Sequence, residues 1–115
     1  MFGYVIVTDS TYVRGLKMLW RISKIMSKHL PLRGPEAAKN AIKELEKLKK
    51  EVPSKCEVHA WITRMSCKEF IDRVIELLQE IAEAKSFSTV NEKWGMLEDI
   101  LGRACLWTLA DVNMM

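Results

Sequence analysis

Apolar residues recur at spacings of three and four along most of the chain, and the places where that period breaks divide it into segments. Between Thr11 and Leu30, Tyr12, Leu16, Leu19, Met26 and Leu30 fall on one side of a helix, with Val13, Met18, Trp20, Ile22 and Ile25 on its flanks. Asp9 or Ser10 can cap that helix, and Pro31-Leu32-Arg33-Gly34-Pro35 stops it. Pro35 suits the first position of a second helix, and Glu36 suits its positive end. Ala38, Ala41 or Ile42, Leu45, Leu48 and Val52 give this helix its apolar stripe, and Pro53 ends it. The two predict a helical hairpin.

Three capping boxes then predict three more helices. Ser54-Lys55-Cys56-Glu57 opens one carrying Val58, Trp61, Ile62 and Met65; Ser66-Cys67-Lys68-Glu69 opens one running through Phe70, Val74 and Ile81 to about Ala84. Thr89-Val90-Asn91-Glu92 opens the last, through Trp94, Leu97, Leu101 and Ala104 to about Leu109. Residues 2–7 alternate loosely and are rich in β-branched and aromatic side chains, which reads as an extended segment without a second strand to pair with. The expected fold is all-α: about five helices in a single domain of 115 residues, with an arm over 1–9, a basic helical hairpin over 10–53 and a three-helix block over 54–115.

Charge changes the picture of the first helix. Between Asp9 and Glu36 lie 26 residues without a carboxylate, and Arg14, Lys17, Arg21, Lys24 and Lys28 recur there at spacings of three and four. At about 100° per residue they share an arc of roughly 80°. Residues 1–53 hold eleven Lys/Arg against five Asp/Glu, and residues 54–115 hold seven against ten, so the net charge of +3 conceals a basic half and an acidic half. The basic half suits a polyanion. Lys39, Lys43, Lys47 and Lys50 alternate with Glu44, Glu46 and Glu51, the ordinary pattern of a solvated helix face.

Other chemistry is thin. Cys56 and His59 stand at i and i+3, with Cys67 eleven residues beyond Cys56, but a structural zinc site wants four ligands and the other histidine, His29, lies in the basic helix. Three cysteines without a short-spaced pair speak against a disulfide framework and for a reducing compartment. Glu76, Glu80 and Glu83 read as a solvated stripe, and Leu32-Arg33-Gly34-Pro35 lacks the Lys-Ser/Thr pair of a phosphate loop. The start of the chain lacks a basic leader, and no apolar run is long enough for a membrane span. No catalytic residue, metal or cofactor is expected, and an enzyme is the last reading. Phe2, Tyr4, Ile6, Trp94, Trp107 and Leu109 are more apolar area than a core of this size readily hides, which points to self-association through the arm and the last helix.

A basic helical hairpin followed by a more apolar helical block resembles, in layout over residues 10–110, the α-helical coat proteins of filamentous and rod-shaped archaeal viruses. The resemblance implies paired subunits that wrap double-stranded DNA inside a virion. The binding residues expected from this chain's own charges are Arg14, Lys17, Arg21, Lys24 and Lys28, extended by Arg33, Lys39 and Lys43. Five cations on phosphates give an expected log-affinity against log-salt slope of about −4.5 on duplex DNA. The alternative is a small, cytoplasmic helical adaptor whose basic helix docks RNA or an acidic protein. A third reading lays the basic helix and Trp20 on anionic lipid.

Overall fold

The computed structural model describes residues 11–113. The arm over 1–9, with Phe2, Tyr4 and Ile6, lies outside them. Among the described residues the chain forms four helices and one two-stranded antiparallel sheet, and about 76% of these residues are helical. None of the helices is long and apolar enough to cross a membrane.

Helix α1 (Thr11–His29) and helix α2 (Pro35–Lys49) keep close to their expected bounds. Lys28 and His29 sit in the last turn of α1, where the helix dipole favours cations, and the Pro31 region ends it. Pro35 starts α2 with Glu36 in its first turn. Arg33, at φ 47°, turns the chain between the two.

The third expected helix is absent. In its place, β1 (Glu57–Ala60) pairs with β2 (Thr63–Ser66), Glu57 opposite Ser66 and Ala60 opposite Thr63. The spacing of Val58, Trp61, Ile62 and Met65 imitates a helix, but the inward side chains of β1 are Val58 and Ala60, at period two. Trp61 and Ile62 form the turn at φ 48° and 57°. Two positive φ angles in a two-residue loop match the twist of antiparallel strands. Extending the register by one pair sets Cys56 against Cys67, and these form a disulfide across a Cα separation of 5.5 Å. The expectation against a disulfide is thereby corrected: a spacing of eleven joins two cysteines easily once a hairpin fills the interval. Cys105 remains free.

Helix α3 (Cys67–Glu83) begins at the second capping box, where the Ser66 hydroxyl accepts from the Glu69 amide at 3.1 Å. Helix α4 (Phe87–Asn113) starts ahead of the third box, because the Ser86 hydroxyl already accepts from the Thr89 amide at 3.2 Å. It runs past Leu109 to Asn113.

One core joins both halves of the chain. Leu19, Ile22, Leu45, Val58, Phe70 and Leu97 all belong to it. Helix α2, with Ala37, Ala38 and Ala41 buried, packs chiefly on α3, while α1 packs chiefly on α4. The α1–α2 pair is therefore built into the core on both sides, instead of standing apart from a C-terminal block. Strand β1 lies against α4 and α1. At the α1 crossing Gly15 is obligatory: a Cβ there would stand 1.8 Å from the Glu57 carbonyl oxygen.

Candidate nucleic-acid interface

The cationic stripe exists, and its members are not equivalent. Opposite the buried Met18, Leu19, Ile22 and Met26, the Lys17, Arg21, Lys24 and Lys28 side chains are exposed. Arg14 is half-buried and donates to the Lys55 carbonyl at 3.3 Å, so it ties α1 to the loop before β1. Arg21 pairs with Glu51 at 3.0 Å, and Lys28 pairs with Glu44 at 2.6 Å. His29 also bonds Glu44. The Lys28 hydrogen bond, followed by that of His29, holds the Glu44 carboxyl below its ordinary range, so this acid stays charged inside the basic face. Among the described residues, Lys17 and Lys24 have no ion-pair partner.

Arg33 does not extend the stripe. It donates to Asn91 and to Glu98, both at 2.5 Å, and fastens the α1–α2 joint to α4. Lys39 and Lys43 are exposed on α2, and Lys47 and Lys50 join them there. By helical rotation the four lie within an arc of about 80° facing away from the core. In the sequence Lys39, Lys43, Lys47 and Lys50, alternating with glutamates, have the pattern of a solvated face; their common direction depends on which face of α2 is buried. A groove of about 390 Å³ runs between the two helices, lined by Arg21, Lys24, Glu44, Lys47 and Glu51. It brings Arg21 and Lys24 of α1 together with Lys47 of α2, and two carboxylates line it beside them.

The expected interface residues separate as well. Trp94 is 0% exposed and belongs to the core, which corrects its assignment to a contact between subunits. Trp107 is half-buried, its ring 5.6 Å from that of His59. Leu109 is 45% exposed, and its neighbour Leu106, outside the expected set of interface residues, is 68% exposed. On α1, Trp20 is 70% exposed.

One polar constellation had no signal in the sequence. Asp111, buried near the end of α4, accepts two hydrogen bonds from Arg64, at 3.0 and 3.2 Å, and lies 3.1 Å from His59 Nδ1. The Arg64 guanidinium holds its carboxyl below the usual range against the opposing effect of burial. The His59 amide donates to the Thr108 hydroxyl at 2.9 Å, and Arg64 also lies over the Tyr12 ring at 5.7 Å. These polar atoms are engaged with one another, and what they do chemically is clamp the hairpin to α4 and α1. No group of three or more His, Cys, Asp or Glu among the described residues could hold a metal ion. Comparison with protein-family models, with curated proteins and with solved structures finds no match.

Proposed function

We propose that this protein binds nucleic acid along the α1–α2 face, by neutralising phosphates without reading base sequence. The observation that carries the reading is the pair of exposed cations Lys17 and Lys24, without an ion-pair partner among the described residues, continued across the groove by Lys47 and onto Lys43. Arg21 and Lys28 contribute less. Exposed ion pairs stabilise by only about 0–1 kcal/mol, so phosphate can displace Glu51 and Glu44, but it then meets the released carboxylates. Arg14 and Arg33 are occupied by structural contacts.

With four effective cations the log-affinity against log-salt slope on duplex DNA is about −3.6, shallower than a five-cation stripe would give. Titrating the protein with a random-sequence duplex across a salt series tests the reading. Affinity that ignores salt, or that depends strongly on base sequence, contradicts it.

Self-association is the second element of the proposal, supported by Leu106 and Leu109 exposed together on α4. Copies set side by side through that face, each holding phosphate on α1–α2, form the coat-like arrangement that the resemblance in layout implies. An adaptor for an acidic protein would use the same cations and show no duplex titration.

A further inference from the structure

Trp20 stands among the cations, outside the core that the described residues form. It is 70% exposed, and among the described residues no aromatic ring or cation stacks on it. Lys17 precedes it by three positions and Lys24 follows by four, so both lie within about 60° of it around α1. Trp20 occupies the α4 side of that row, and Arg21 and Lys28 the α2 side. Along the same α4-side edge, Ser23 and Ser27 border a mostly apolar groove between α1 and α4, with Met26, Leu30 and Leu101 also lining it. Its volume is about 220 Å³, below the range of about 300–1,000 Å³ for drug-sized ligands and suited to one flat ring system.

Resting on the nucleic-acid reading above, we infer that the ligand of this face is unpaired nucleic acid, with one base stacked on Trp20 and flanking phosphates held by Lys17 and Lys24. In a duplex the faces of the bases are covered by their neighbours, and an indole on a helix surface reaches only the backbone. In a single strand each base offers a free face, and stacking on an aromatic ring tolerates any sequence. The next base has the α1–α4 groove to enter, away from water. Phosphates on the lysine row and bases on the Trp20 edge give the strand one direction across α1.

The experiment compares a short oligothymidylate with a duplex of equal length, binding the full chain and its W20A and W20F variants. Trp20 is on the surface, so both variants fold, and far-ultraviolet circular dichroism verifies that. Expected for W20A is a loss of about five- to 150-fold in single-strand affinity, the range for one base–aromatic stack, with duplex affinity unchanged. W20F, which retains a ring, keeps most of the affinity. Oligothymidylate should also quench a component of the tryptophan fluorescence that W20F lacks. Equal single-strand binding by W20A and the parent overturns the inference, as does quenching of Trp20 by anionic phosphatidylserine vesicles but not by oligothymidylate, or a change in W20A confined to its self-association. If W20A is neutral while replacing Lys17 and Lys24 weakens binding, the stacking fails and the phosphate reading stands. If neither nucleic acid binds, both fail.

Discussion

Gly15 and Gly95 look alike in the sequence and differ completely in the fold. Both are helical, but an added Cβ at Gly15 meets the Glu57 carbonyl oxygen at 1.8 Å, whereas one at Gly95 meets nothing within 4 Å. Gly15→Ala therefore forces α1 away from β1 and should destabilise by about 1–3 kcal/mol, even after the gain in helix propensity. Gly95→Ala should stabilise by about 0.5–1 kcal/mol. Urea midpoints of the two variants check this, and equal shifts would refute the close crossing. Asp111 gives a second residue-level prediction. Its folded-state carboxyl titrates below the ordinary value of 3.8, chiefly because of Arg64, so its contribution is fully present above that value and is lost as pH falls through the folded one. The parent should be more stable than Asp111→Asn at neutral pH, and the difference should close as pH falls below about 4. A constant difference across an acid titration would remove the clamp. Neither residue was legible in the sequence, since each acts through a partner more than 40 positions away: Glu57 for Gly15 and Arg64 for Asp111.

At the scale of elements, the helices were legible where proline and capping signals agreed with apolar periodicity. Pro35 opens α2, and Ser66 opens α3 with the hydrogen bond its capping box implies. The β-hairpin was hidden for two reasons. Its strands have four residues each, too few to establish a period of two, and its turn is Trp61-Ile62 in place of the Asn-Gly or Asp-Gly that left-handed geometry favours. A β-branched residue at φ 57° is strained by about 1–2 kcal/mol. The side chain of Ile62 returns little for it, being 88% exposed, whereas Trp61 packs on Phe70 with ring centroids 5.4 Å apart. Ile62→Gly should consequently stabilise the protein by about 0.5–1 kcal/mol after the entropy of glycine is deducted. Thermal unfolding measures it, and a destabilised variant would show that Ile62 makes a contact that its exposure conceals.

Across the whole molecule, the division into a basic and an acidic half could be read from the chain, but the working charge of the basic face could not. Glu44 and Glu51 lie 16 and 30 positions from the cations they meet, and only the packing of α1 beside α2 shows that they occupy Lys28 and Arg21. That packing leaves Lys17 and Lys24 as the exposed cations of α1 without an ion-pair partner among the described residues, and brings Lys47 to the groove that Lys24 lines. Lys17→Gln and Lys24→Gln combined alter exposed side chains without a partner in the described fold, so the variant should unfold like the parent. The salt dependence of duplex binding by the double variant is the most direct measurement. Removal of two phosphate contacts should flatten the log-affinity against log-salt slope by about 1.8 units and weaken all sequences alike; a slope and an affinity equal to the parent's would contradict the assignment of this face to nucleic acid.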